Sequence, residues 1–105
     1  MKKVYASIWE SGASQEEFDS KVPQLMAWLH DLKKQNKLRS CGGCNDEKIG
    51  GLTIVEAANL DEAKEMFKTF PLNTIGTSKI VEWDLYHSDL TETGKWDGWW
   101  ENELQ

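Results

Sequence analysis

Residues 38–58 read LRSCGGCNDEKIGGLTIVEAA, and this stretch decides the fold. Two strand-like segments, residues 38–44 and 49–58, flank a polar turn, and each carries a glycine pair beside that turn. Apolar, β-prone segments joined by a short polar turn are typical of a β-hairpin. We therefore predict a hairpin here, with the second segment as a central strand of a sheet.

The residues before the hairpin predict one strand and one helix. Side chains of residues 2–9 would alternate between the two sides of a strand, and bulky groups occur on both sides. This is typical of a strand that is covered on both faces. Ser14 and Glu17 form a capping-box pattern that starts a helix. Pro23 lacks the backbone donor that a helix interior needs, so we expect a bend there and a main helix to about residue 36. Its apolar stripe recurs at helical spacing as Leu25, Trp28, Leu29 and Leu32.

The residues after the hairpin predict a second helix and a last strand. Asn59 and Glu62 repeat the capping pattern, and Pro71 ends the helix. After a loop, residues 79–87 alternate in period two as a fourth strand. The predicted order is βαββαβ. With right-handed crossovers this order gives an α+β fold, the ferredoxin-like sandwich, in which a four-stranded antiparallel sheet carries two helices on one face.

Three predicted strands carry apolar side chains on both of their faces. They are Val4 with Tyr5, Ile54 with Val55, and Ile80 with Val81. The two helices cover only one face of the sheet, and a monomer rarely exposes an apolar surface larger than a few hundred Å². We therefore predict a homodimer whose subunits pack sheet against sheet.

Length, charge and composition limit the class of protein. The chain has 105 residues, 39% of them hydrophobic, which fits one folded domain at residues 1–87 followed by a tail at residues 88–105. The net charge of -6 argues against nucleic acids and anionic membrane surfaces as partners. No apolar run is long enough to span a membrane, and the first residues enter a strand pattern without a signal peptide. We expect a cytoplasmic protein with reduced thiols.

The predicted tail is acidic and rich in tryptophan. It contains five acidic residues against one basic residue, and residues 96–100 read WDGWW. Three indoles so close together require an apolar partner. We expect them either to dock against their own subunit or its dimer mate, or to form a lid that helps to bind a flat apolar ligand. Stacking on single-stranded nucleic acid is a third interpretation, which the negative charge opposes.

Residues 25–86 resemble a known family. The likeness rests on LMAWLHDLKKQNKL in the first helix, GGLTIVEAANLDEAKEMF across the third strand and second helix, FPLNTIG, and the closing IVEWDLY. This pattern resembles the YCII-related family of the dimeric α/β barrel superfamily, in which ferredoxin-like subunits pair through their sheets. The resemblance implies a cleft between sheet and helices, with a catalytic His and Asp. The positions that match this pair hold Leu25 and Phe70, so the pair is absent here.

Cys41 and Cys44 have the spacing of a redox dithiol, CGGC. Such a pair is reactive when a helix N-terminus stabilises a thiolate, whereas here an acidic turn and a strand follow. The alternative is that the glycines serve the hairpin and the sulfurs are inert. Tetrahedral zinc needs four ligands and the chain has no second cysteine pair, so we predict no metal site and no cofactor.

Other side chains are candidates for the cleft. His87, with Tyr86 beside it at the end of the fourth strand, is a candidate general base, although an ordinary strand-end histidine fits the same pattern. Candidate ligand-binding residues are Ser7, Thr53, Trp28, Trp83 and Trp99.

These observations favour a small homodimer that holds a small apolar or aromatic molecule in its cleft. One alternative is a cofactor-free enzyme of the same superfamily, of the monooxygenase or isomerase type, in which His87 or Tyr86 moves a proton. The other alternative is a structural or interaction module without a ligand.

Overall fold

The computed structural model describes residues 3–44 and 49–84, and these residues form a single four-stranded sheet with two α-helices. The elements are β1 (Lys3–Ser11), α1 (Gln15–Lys34), β2 (Leu38–Gly43), β3 (Ile49–Ala57), α2 (Leu60–Phe67), a 3-10 helix (Pro71–Thr74) and β4 (Thr77–Glu82). All neighbouring strands are antiparallel, in the order β2-β3-β1-β4. The predicted βαββαβ order and the ferredoxin-like fold are confirmed.

The hairpin that decides the fold is formed by β2 and β3. Strand β3 pairs with β2 on one side and with β1 on the other, so it is a central strand as predicted. Its Val55 is completely buried. The β2 ladder contains a bulge, because Leu38 pairs with Val55 and Ser40 with Ile54, which leaves Arg39 without a partner in the ladder. The Arg39 Nε instead donates a hydrogen bond of 2.6 Å to the Glu56 carboxylate.

Helix α1 begins at the predicted capping box. The Glu17 N–H donates to Ser14 Oγ at 3.1 Å, and the Ser14 N–H donates to Glu17 Oε1 at 3.3 Å. The helix continues through Pro23 as one element, whereas the sequence predicted two segments with a bend between them. A proline in the interior of a helix costs about 3 kcal/mol. Apolar side chains on both sides of Pro23, including Phe18 and Met26, pack into the core and hold the two turns in one helix.

The end of α1 is a Schellman motif. Asn36 adopts the left-handed conformation, with φ of 60°, which asparagine tolerates better than most residues. The Lys37 N–H donates to Leu32 O at 3.0 Å, and the Asn36 N–H donates to Lys33 O at 2.9 Å. This turn directs the chain from the end of the helix into β2.

The core lies between the sheet and the two helices. Tyr5, Trp9 and Val55 of the sheet pack with Phe67 and Phe70 in one buried cluster. The register of the strands places alternate side chains on the opposite side of the sheet, which we call the open face. The apolar side chains of the open face are Val4, Ala6, Ile8, Leu52, Ile54 and Val81, and the same face carries the charged residues Glu10, Glu56 and Lys79.

The open face is partly buried and partly exposed. Ala6 and Ile54 are buried, but Ile8 is 48% exposed. Ile8 is the cross-strand partner of Leu52, which is also exposed. The sheet therefore presents an apolar surface on the side that the helices do not cover.

Candidate ligand-binding cavity

A cavity of about 170 Å³ lies between α1 and the glycine-rich end of the hairpin. The residues that line it are Trp9, Phe18, Leu25, Met26, Leu29, Cys41, Gly42, Gly43, Gly50, Gly51, Leu52, Thr53, Phe70 and Leu72. Most of these side chains are apolar, as is usual for small-molecule sites. An apolar protein cavity of about 150 Å³ binds benzene. This cavity therefore has the size for a molecule with one ring.

The glycines of the hairpin create the space for the cavity. Gly43 of β2 faces Gly51 of β3 in the register, so two neighbouring positions lack side chains. A Cβ atom at Gly51 would lie 2.9 Å from the Gly42 carbonyl oxygen, so the backbone there requires glycine. A Cβ atom at Gly43 would meet only the Gly50 oxygen, at 3.7 Å. The glycine at position 43 thus keeps the cavity open rather than serving the hairpin, which sequence reasoning did not predict.

Trp9 forms one wall of the cavity and is held in place by a hydrogen bond. Its indole Nε1 donates to the Leu72 carbonyl at 3.2 Å, which joins β1 to the 3-10 helix. Its ring also lies 6.1 Å from Phe18 and 6.4 Å, edge on, from Phe70. Trp9, Phe18 and Leu72 were not predicted in the site, whereas Phe70 stands at a position where the resemblance implies a catalytic residue. The two-residue period of β1 could have identified Trp9, because it puts Trp9 on the same side of the sheet as the predicted residue Ser7.

Three of the predicted polar residues lie at the floor of the cavity or next to it. Thr53 and Cys41 both line the cavity and are cross-strand partners. Ser7 does not line it, but it is the cross-strand partner of Thr53 on the other side and is 2% exposed. The structure therefore brings these three predicted residues together.

The predicted tryptophans lie elsewhere. Trp28 faces a separate groove between α1 and α2, where its Nε1 donates to Thr69 Oγ1 at 2.9 Å. The Trp83 N–H donates to Val4 O at 2.8 Å, which extends the β1–β4 ladder and places its side chain on the open face by alternation. Tyr86, His87, Trp99 and the whole predicted tail lie outside the described residues.

The two cysteines lie on opposite sides of the sheet. Cys41 points toward the helices and lines the cavity, whereas Cys44 is exposed, and its N–H donates to Gly50 O at 3.0 Å. Three residues of extended strand separate their Cα atoms by about 10 Å. A disulfide requires a Cα separation below about 7 Å. A bond between Cys41 and Cys44 would therefore need the hairpin to rearrange.

We expect the two thiols to differ in reactivity. Burial raises the pKa of the Cys41 thiol from 9.0 to about 12, so its thiolate is scarce at neutral pH. Iodoacetamide should alkylate Cys44 at least about tenfold faster than Cys41, because only the thiolate reacts. Mass spectrometry of peptides after short exposures measures both rates, and unfolded protein serves as the control in which the rates converge. Equal rates in the folded protein, or an oxidised Cys41–Cys44 pair, would restore the dithiol interpretation.

The positions that match the catalytic pair of the resembled family lie at this cavity. Leu25 of α1 and Phe70 before the 3-10 helix both line it. Both side chains are apolar and neither can transfer a proton. The place where the resemblance implies acid–base chemistry is therefore an apolar wall in this chain.

The described parts of the chain contain neither a metal cluster nor a membrane helix. No three His, Cys, Asp or Glu side chains within residues 3–44 and 49–84 converge on a point that could hold a metal ion. Among those same residues, no helix is long and apolar enough to cross a membrane.

Solved structures share this fold at low sequence identity. One is the 5-chloro-2-hydroxyhydroquinone dehydrochlorinase TftG from Burkholderia phenoliruptrix AC1100, in complex with 2,5-dihydroxybenzoquinone. It is 17% identical, with a TM-score of 0.61, over 76% of this chain and 93% of that chain. Another is SnoaB, a cofactor-independent oxygenase from Streptomyces nogalater, which is 11% identical with a TM-score of 0.52 over 83% of this chain and 95% of that chain.

A search of the curated proteins finds no match. The model of the YCII-related domain matches residues 4–84, which is most of the chain and includes both helices, the cavity and all of the sheet except Lys3. The chain belongs to the YCII-related family.

Proposed function

We propose that this protein binds a small apolar or aromatic molecule in the cavity between α1 and the hairpin. The observation that carries the proposal is the apolar lining around about 170 Å³, with Leu25 and Phe70 at the positions of the family's proton-transfer pair. Burying one aromatic ring there removes its apolar surface from water. This burial favours binding by about 25 cal/mol for each Å² of apolar surface. The similarity to TftG, which is solved with a single-ring quinone, supports this size of ligand.

The test of binding uses toluene as the probe and calorimetry as the measurement. The wild-type chain should bind toluene, and Gly43→Leu should weaken binding by at least about tenfold because the new side chain fills the space that Gly43 leaves. Ser40→Leu is the matched control, because it adds a leucine to the same strand at a position that pairs with Ile54 of the open face and does not line the cavity. Its toluene affinity should stay within about twofold of wild type.

Two results would contradict the proposal. One is the absence of toluene binding by folded wild-type protein. The other is an equal loss of affinity in Ser40→Leu and Gly43→Leu, since the effect would then come from the strand and not from the cavity. Circular dichroism of both variants establishes that they are folded.

A cofactor-free enzyme is the second candidate function. The similarity to SnoaB, a cofactor-independent oxygenase, and to the dehydrochlorinase favours it. Such an enzyme would need a proton acceptor other than residues 25 and 70, and His87 with Tyr86 keeps that role as a prediction. Incubation with substituted hydroquinones in air, followed by mass spectrometry of the products, separates turnover from binding. A turnover that His87→Ala abolishes would favour the enzyme.

We also propose that two copies of the chain pack through their open faces. Ile8 and Leu52 are adjacent, exposed and apolar, and Trp83 extends the same surface with 40% of its area exposed. A second copy packed on this surface would remove its apolar side chains from water, as the helices do for the side chains on the other face of the sheet.

A further inference from the structure

Cys41, Thr53 and Ser7 form a line across the helix-facing side of the sheet, and we call them the polar row. Cys41 of β2 pairs with Thr53 of β3, and Thr53 pairs with Ser7 of β1. Side chains at directly opposed positions of antiparallel strands have Cβ atoms about 5 Å apart, close enough for hydroxyl groups to bond. The polar row therefore places two hydrogen-bonding groups, those of Cys41 and Thr53, at the cavity floor and a third, that of Ser7, next to it.

The hydroxyls of the polar row are buried and retain hydrogen-bonding capacity. Thr53 is 7% exposed, and among the described residues the Ser7 Oγ has no hydrogen-bond partner. A buried hydroxyl without a partner destabilises the folded state, so its presence in an apolar interior requires an explanation. No hydrogen bond joins Ser7 Oγ to Thr53 in the structure, but a ligand oxygen that accepts from Thr53 would turn the threonine hydroxyl so that it could also accept from Ser7.

Among the described residues, none that lines the cavity could balance a charge on the ligand. Each described residue that lines it has an uncharged side chain. Cys41 stays a neutral thiol at physiological pH, because burial raises the pKa of that thiol to about 12. A carboxylate or an ammonium group would lose its water of hydration in such a site and would find no opposite charge there. Binding of a charged ligand is therefore unfavourable.

We propose that the ligand is a neutral single ring that carries a hydroxyl or carbonyl oxygen, a phenol or a quinone by chemical class. The ring packs against Trp9, Leu25 and Phe70, and its oxygen bonds to Thr53 and Cys41. Ser7 would act as a positioning residue in the bound state, by donating to Thr53 a hydrogen bond that the free structure lacks and so orienting the hydroxyl that meets the ligand. This inference rests on the proposed binding function and names the chemistry of the ligand.

The first experiment compares three probes of similar size on wild-type protein by calorimetry. Phenol should bind at least as tightly as toluene, whereas an entirely apolar cavity would prefer toluene because the phenol hydroxyl would lose its water. Benzoate, which is charged, should bind at least about tenfold more weakly than phenol. A preference of more than about tenfold for toluene over phenol, or binding of benzoate as tight as that of phenol, would overturn the inference.

The second experiment removes the hydroxyl of Thr53 with little change of shape. Thr53→Val should weaken phenol binding by about five- to tenfold and leave toluene binding within about twofold, since one hydrogen bond is lost. Thr77→Val is the matched control, because Thr77 is exposed on the open-face side of β4. Ser7→Ala should lower the ratio of phenol to toluene affinity in the same direction by a smaller factor. If Ser7 had a purely structural role, Ser7→Ala would change the phenol affinity and the toluene affinity by the same factor.

The outcomes separate this inference from the proposed function. If toluene binds and Thr53→Val weakens toluene and phenol equally, the cavity binds ligands but the polar row does not select them. If neither toluene nor phenol binds to wild-type protein, both the binding function and the inference are wrong.

Discussion

Ile8→Lys is expected to convert a dimer of this chain into folded monomers. Ile8 is 48% exposed in the subunit and sits on the open face beside Leu52. A lysine there would stay in water in a monomer, but a second sheet packed on it would bury its charge without a partner. We expect the dissociation constant of the dimer to rise by at least about 100-fold, which corresponds to about 2.7 kcal/mol.

The measurement is light scattering coupled to size-exclusion chromatography over a range of protein concentrations. Leu60→Lys is the matched control, because Leu60 is an aliphatic residue with 38% exposure at the start of α2, away from the sheet. It adds the same charge and should leave the dimer intact. A wild-type chain that is monomeric at every concentration, or equal dissociation of both variants, would contradict packing through the open face.

Gly76→Ala is expected to destabilise the fold more than any other glycine-to-alanine change discussed. A Cβ atom at Gly76 would lie 2.5 Å from Trp9 Nε1 and 2.6 Å from the Glu10 carbonyl oxygen. Neither atom can move easily, because Trp9 is buried and bonded to Leu72 O and Glu10 is paired in the middle of the sheet. Overpacking of this kind costs about 1–3 kcal/mol, and we expect the upper end because backbone must shift.

Thermal and urea unfolding measure this loss. In a domain of this size, a loss of about 2–3 kcal/mol lowers the midpoint of thermal unfolding by about 10 °C or more. Gly12→Ala is the control, because a Cβ atom at Gly12 has no neighbour within 4 Å and the change should be close to neutral. If Gly76→Ala unfolds within about 2 °C of the control, the contact between residue 76 and Trp9 is looser than described.

The elements of the fold could be predicted because each depends on local pattern. The capping residues Ser14 and Asn59 start the two helices as expected, and the alternation of β3 identifies a central strand. The passage of α1 through Pro23 could not be predicted, because core packing on both sides of the proline outweighs its local cost.

The cavity could be predicted only in part, because it is the space that separate segments leave unfilled. Thr53 was predicted to bind ligand from its place on a strand and Cys41 was a redox candidate from the CGGC spacing, and both line the cavity. The wall formed by Trp9 depends on a hydrogen bond to Leu72, which is 63 positions away in the sequence. No local pattern indicates such a contact.

The bulge at Arg39 has a consequence for how copies of this chain can meet. Strand β2 is at the edge of the sheet, where unpaired backbone groups can recruit a strand from another molecule. The bulge interrupts the regular spacing of those groups, and the charged pair of Arg39 and Glu56 stands beside it. Growth of the sheet from chain to chain along this edge, the first step toward a fibril, is thereby discouraged. The pairing that we propose through the open face would instead be closed, because a two-fold pair uses the same surface of both copies and leaves none of it for a third.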